Sequence, residues 1–205
     1  YPKHLDKIYL QNALNVLRTK QIGENFIYNG VKEPYLLRLV NDIYKDPIGC
    51  DMIVLLVLRN PCEVIESSNN FIKEIGNPKT INYKTWDNYY VSFLKHVNKD
   101  KLIILDYNKF VDYPKTCYDV IFNKLKVYLP KIKRIEESEL LSLVKNRQFK
   151  GDTNENIPPQ TKYLYNLLRS DIRLFSEETY NKISKIKPND KCFCNSGKKF
   201  KKCCK

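Results

Sequence analysis

"MIVLLVLRNPCEVIESS", residues 52–68, holds the two signals from which the fold is read. Met52 to Leu58 are seven aliphatic residues without polar alternation, the pattern of a strand covered on both faces by helices. Arg59, Asn60 and Pro61 then stop the run. Asn60 suits an N-cap, Pro61 suits the first helical position, where a missing amide donor costs nothing, and Glu63 follows three residues after the cap. Val64, Ile65, Ser68, Phe71, Ile72 and Ile75 recur at helical spacing and are expected to form the buried side. A strand feeding directly into a helix is the building unit of a parallel sheet.

The same alternation continues on either side. Leu5, Ile8, Tyr9, Asn12 and Val16 predict an opening helix from Leu5 to Leu17, and "ENFIY" (24–28) reads as a short strand stopped by Asn29-Gly30. "KEPYLLRLVNDIYKDP" (32–47) predicts a helix with Pro34 in its first turn and Leu36, Leu37, Val40, Ile43 and Tyr44 on one side. Trp86, Tyr90, Phe93 and Val97 mark another helix, "KLIILD" (101–106) a strand, and Cys117, Val120, Ile121, Leu125 and Leu129 a further helix. Strands alternating with helices imply right-handed crossovers and a parallel sheet, so the expected fold class is α/β. Beyond Pro130 the pattern turns helical and more polar. Helices are expected near 140–144, 163–168 and 177–186, around the loop "FKGDTNENIPPQ" (149–160). "KIKPND" (185–190) reads as a linker, which divides the chain into a main domain over 1–187 and a tail over 188–205.

A hydrophobic content of 42% with 12% aromatics suits a folded protein rather than a disordered one. The longest apolar run falls far short of the ~20 residues that cross a bilayer, and no basic-then-apolar leader opens the chain, so a cytoplasmic protein is expected. The formal net charge of +13 attracts polyanions, but Lys, Asn, Ile and Tyr are used heavily throughout, and only local clusters of charge are interpreted. Of seven cysteines, Cys192, Cys194, Cys203 and Cys204 crowd the tail. In a chain without an export signal that clustering favours metal binding over disulfides.

Arg59 stands where a parallel sheet binds ligands, at the carboxyl end of a strand and the start of a helix. Unpaired amides and the positive end of the helix dipole add to its charge, so together they make an anion site. Ser67 follows eight positions later, and an arginine fork with a serine hydroxyl can grip one phosphate from two directions. The competing reading is structural: Arg59 pairs with Glu63 or Glu66, and Ser67 is a tolerated helix serine.

"VLRNPCEVIESS" resembles the 3′-phosphate-binding motif of sulfotransferases that use 3′-phosphoadenosine 5′-phosphosulfate (PAPS): an aliphatic strand, Arg-Asn/Asp-Pro, and a serine eight positions after the arginine. "VKEPYLLRLV" (31–40) is similar to the family's Lys-x-Pro segment, and "ILDYNKFVDYP" (104–114) to its Tyr-Glu-Asp-Leu...Asp-Pro segment. Tyr107-Asn108-Lys109-Phe110 departs from that last pattern, so no role is carried over for its acidic pair. The resemblance implies a P-loop-like parallel sheet flanked by helices, with Arg59 and Ser67 binding the co-substrate PAPS and Lys32 as the catalytic cation near the sulfuryl oxygens. The family's phosphosulfate-cradling loop has no counterpart in this sequence, and its place is expected upstream of Tyr1. The acceptor and the base that deprotonates it stay unnamed.

The tail, "CFCNSGKKFKKCC" (192–204), spaces Cys-x-Cys and Cys-Cys eight residues apart. Four thiolates satisfy tetrahedral Zn²⁺, the intervening residues are enough to fold back, and Gly197 permits the reversal. Lysines offset the −2 charge of a tetrathiolate zinc centre. The segment resembles the SEC-C motif, a short zinc-binding module, which implies structural zinc on Cys192, Cys194, Cys203 and Cys204. Six lysines among 191–205 make the tail a basic knob suited to an acidic partner protein. No nucleic-acid motif accompanies the charge, which disfavours nucleic acid as a partner. The leading expectation is a sulfotransferase, or part of one, with a zinc tail; the alternative is a non-catalytic zinc adaptor with a degenerate nucleotide-binding domain.

Overall fold

The computed structural model describes residues 8–15, 36–47, 52–76, 80–143, 157–183, 185–192 and 196–203. Its mixed α/β chain is mostly helical and divides into two compact units, one of residues 1–58 and 92–148, the other of 59–91 and 149–205. The expected strand at 24–28 and Pro34 lie outside the described residues.

In the first unit β1 (Val54–Leu58) pairs in parallel with β2 (Leu102–Asp106), Val54 opposite Leu102 and Leu58 opposite Asp106. The expected parallel sheet is therefore present, with two strands among the described residues. Coverage of β1 on both faces is not: Leu56 and Leu58 are buried, whereas Leu55 and Val57 are 44% and 51% exposed. An unbroken aliphatic run reports affinity for cover on either side, but burial depends on what packs there. Around the sheet stand α1 (described over 8–15), which buries Ala13 and Leu14 but leaves Ile8 exposed, and α2 (Leu36–Tyr44), which buries Leu39, Val40 and Ile43.

Asp106 ends β2 and caps the next helix, its carboxylate accepting from the amides of Asn108 and Lys109, so the chain turns directly into a short α5 (Tyr107–Asp112). The sequence pattern shows no helix there because its signal is a cap, not a period. Pro114 restarts the chain as α6 (Pro114–Tyr128), which packs on β2 and buries Ile121 and Phe122 while Val120 faces solvent. α7 (Glu137–Leu143) packs on α6, and the Arg134 guanidinium pairs with Asp119 over the rings of Tyr118 and Phe122.

The second unit holds α3 (Pro61–Glu74), the first nine residues of α4 (Tyr83–His96), α8 (Pro159–Arg169) and α9 (Glu177–Ile183). Trp86 and Tyr90 stack at 4.0 Å between ring centroids, and both are buried, as are Phe93 and Val97 further along α4. Leu164 of α8 is fully enclosed.

The same unit buries a carboxylate. Asp87, on α4, is 3% exposed and accepts from the Tyr180 hydroxyl of α9 at 3.1 Å. Burial pushes its pKa up, opposed by the neighbouring Thr161 and Tyr180 hydroxyls and by Lys84. Asp87 Oδ1, Thr161 Oγ1 and Trp86 Nε1 are enclosed without a well-formed hydrogen bond among the described residues. A raised pKa means that the folded state holds the proton more tightly than the unfolded chain, so this group's contribution to stability falls as pH rises from about 3.9 through the folded value. Asp87→Asn keeps an acceptor for Tyr180 and removes the charge. It is expected to raise the melting temperature at pH 7.5, and the difference between variant and wild type should shrink toward pH 4. A difference independent of pH would contradict this assignment.

Candidate functional site

α3 carries the residues singled out by the sequence, and its own chemistry sets it in place. The Asn60 side chain accepts from the Cys62 amide at 2.9 Å, which confirms the expected N-cap, and Pro61 opens the helix. Gly76, at φ +70°, ends it in the left-handed conformation that a side chain would oppose, its amide bonded to the Lys73 carbonyl. Two contacts fasten the helix to the residues leading into α4. Cys62 Sγ lies 3.1 Å from Tyr83 Oη, and the Asn69 amide both donates to the Ile81 carbonyl (2.9 Å) and accepts from the Ile81 amide (2.6 Å). Burial and the Cys62 contact push the Tyr83 hydroxyl up to about 12, so it stays protonated at neutral pH.

Arg59 and Ser67 line the same open depression along α3, about 410 Å³ in volume. Glu63 stands beside them, and Asn70, Phe71 and Glu74 continue the wall toward the helix C-terminus, with Glu66 on the same surface. Arg59 is held: its Nε donates to Glu63 Oε2 at 2.5 Å. The Glu63 side chain is 5% exposed and that of Arg59 27%, so this is a largely desolvated ion pair, not a surface one. Of the two carboxylates that compete for Arg59 in the sequence, the one four residues away makes the pair, as helical geometry favours.

Ser67 is exposed on the wall. Phe71 and Ile75, expected on the buried side, are 61% and 58% exposed, while Val64, Ile65, Ser68 and Ile72 are half-buried. Helical periodicity selects a stripe of apolar residues; it does not tell how far along the helix that stripe is covered. Lys32 lies outside the described residues. His96 ends α4 and is absent from the depression.

The tail forms a small fold of its own. Lys191 and Lys199 make an antiparallel bridge, and the Cys192 amide donates to the Lys198 carbonyl at 2.8 Å. The reversal between them includes Gly197 at φ +72°, the conformation for which glycine is suited. Phe200 and Lys201 donate from their amides to the Asp190 and Pro188 carbonyls, at 2.8 and 2.9 Å, and Phe200 is buried as a one-residue core. A single 3₁₀ turn, Phe200–Lys202, then delivers Cys203, whose sulfur lies 3.1 Å from the Ser196 hydroxyl in the reversal. The expected fold-back is present. Cys192 is buried and Cys203 exposed, while Cys194 and Cys204 lie outside the described residues. Among the described residues, no group of three His, Cys, Asp or Glu side chains could hold a metal ion.

Residues 189–205 match the family model of the SEC-C motif. No curated protein matches the chain, and neither does any solved structure. The motif match coincides with the hairpin and 3₁₀ turn. Lys191, Lys198, Lys199, Lys201 and Lys202 are all exposed on it, so the knob presents positive charge to solvent. Among the described residues no helix is long and apolar enough to cross a membrane.

Proposed function

We propose that the chain is a PAPS-dependent sulfotransferase, or the part of one that grips the 3′-phosphate, with a zinc-binding SEC-C tail. One observation carries the reading: Arg59 and Ser67, eight residues apart in a motif resembling that family's, line one depression. Eight residues of helix advance about 12 Å along the axis, a span that an arginine reaching along the surface bridges readily. The buried Glu63 fixes the guanidinium by its Nε edge. A fixed fork loses less freedom on binding phosphate than a mobile one. The parallel β1–β2 pair supports a P-loop-like sheet.

In the reaction, the bond from sulfur to the bridging phosphate oxygen breaks as a bond forms from sulfur to the acceptor's oxygen or nitrogen. Charge spreads over the sulfuryl and bridging oxygens, so cations and amide dipoles must face them. Lys32 is the cation the resemblance assigns to that place.

The tail's donor set fits zinc. A hairpin and a 3₁₀ turn bring Cys192 and Cys203 into one small fold, the two remaining sulfurs lie next to them in the chain, and four thiolates make a closed tetrahedral site that stabilises rather than catalyses. The lysines offset its negative charge and leave a cationic surface for an acidic partner protein.

A second reading rests on the same wall. Glu63, Glu66 and Glu74 set three carboxylates against one guanidinium, which opposes a dianionic phosphate. In a chain that binds no nucleotide, the zinc tail would carry the function, as an adaptor. Equilibrium dialysis with adenosine 3′,5′-bisphosphate separates the two. The first reading expects saturable binding, weakened about tenfold or more by Ser67→Ala, whose exposed hydroxyl is dispensable for folding. Absence of binding by the wild type selects the adaptor.

A further inference from the structure

Phe71 is the one large apolar side chain on an otherwise polar wall, and it is 61% exposed. It lies one helical turn beyond Ser67, about 6 Å along the axis, on the same side of α3. A ribose carrying a 3′-phosphate spans that distance to its base.

The charges along the wall also give a nucleotide one direction. Phosphate is drawn to Arg59 and the positive N-terminal end of α3, and repelled from Glu74 and the helix C-terminus. The base must then run toward Phe71. Beside it stands Asn70, whose amide offers one donor group and one acceptor, the pair that matches N7 and the exocyclic amine of adenine.

We propose that Phe71 and Asn70 are the base-recognition half of this depression, Phe71 stacking an adenine ring and Asn70 reading its edge, while Arg59 and Ser67 hold the 3′-phosphate. The inference rests on the nucleotide reading given above. Stacking on an aromatic residue contributes about 1–3 kcal/mol per base by alanine substitution, or roughly five- to 150-fold in affinity.

Two probes isolate it: adenosine 3′,5′-bisphosphate, and the methyl riboside 3,5-bisphosphate that lacks the base. Phe71→Ala should weaken the first at least about fivefold and leave the second unchanged, and Phe71→Trp should restore the first. Asn70→Leu should lower the preference for adenine over cytosine bisphosphates. If Phe71→Ala binds the adenine probe like the wild type, or weakens both probes equally, stacking is overturned and the phosphate grip stands. Should the wild type bind neither probe, or the double variant Arg59→Gln/Glu63→Gln bind both undiminished, the nucleotide reading itself fails and the stacking falls with it.

Discussion

Cys192→Ser is expected to leave the purified protein without the one zinc ion per chain that native mass spectrometry should find in the wild type. Structural zinc centres in small modules bind with about 10–16 kcal/mol of apparent free energy, and in modules of this size that is folding energy. The tail has little else to hold it: one antiparallel bridge, a few backbone hydrogen bonds and Phe200 as its core. Loss of one thiolate should therefore open 189–203 to proteolysis at its exposed lysines, and a chelator should do the same to the wild type. Serine at 192 also exchanges a buried sulfur for a hydroxyl that binds zinc poorly. A wild type that carries no zinc, or a variant tail that resists protease as the wild type does, would remove the metal from the account.

Arg59→Ala is expected to fail twice, in binding and in folding. Truncation takes the guanidinium from the phosphate, and it also strips Glu63 of its counter-ion while that carboxylate stays buried. Removing one partner of a buried pair costs about 3–5 kcal/mol, near the upper end here only if Glu63 finds no water. With about 2–4 °C of melting temperature per kcal/mol in a chain of this size, the loss is easily measured. Arg59→Gln/Glu63→Gln neutralises both groups and should recover most of the stability without recovering affinity for adenosine 3′,5′-bisphosphate. Binding and stability that recover together would make the pair a structural tie and nothing more. The ion pair thus decides how the motif must be tested, because a single truncation confounds the two roles.

The locally encoded features were the most legible. Asn60 and Pro61 define the start of α3 because a cap and a fixed φ act within a turn. Trp86, Tyr90, Phe93 and Val97 gave the buried stripe of α4 correctly, since all four lie on one side of a helix enclosed along its length. Gly197 and the spacing of the tail cysteines anticipated the reversal, which is a property of a few consecutive residues. The α5 helix escaped notice because its signal, Asp106, was also the last residue of a strand.

Burial could not be read in the same way. Phe71, Ile75, Leu55 and Val57 have the composition of core residues and are exposed, whereas Glu63 and Asp87 have that of surface residues and are enclosed. Apolar periodicity establishes that an element has a preferred side; whether anything covers that side depends on residues remote in the chain. The choice of Glu63 over Glu66 as partner for Arg59, and the enclosure of Asp87 beside hydroxyls supplied 74 and 93 positions later, by Thr161 and Tyr180, are of this kind. Backbone conformation follows from short-range sterics and hydrogen bonding that each residue carries with it. Desolvation is a collective property of the packed chain, and here it sets which charges are paired, which aromatic meets solvent and which carboxylate holds its proton.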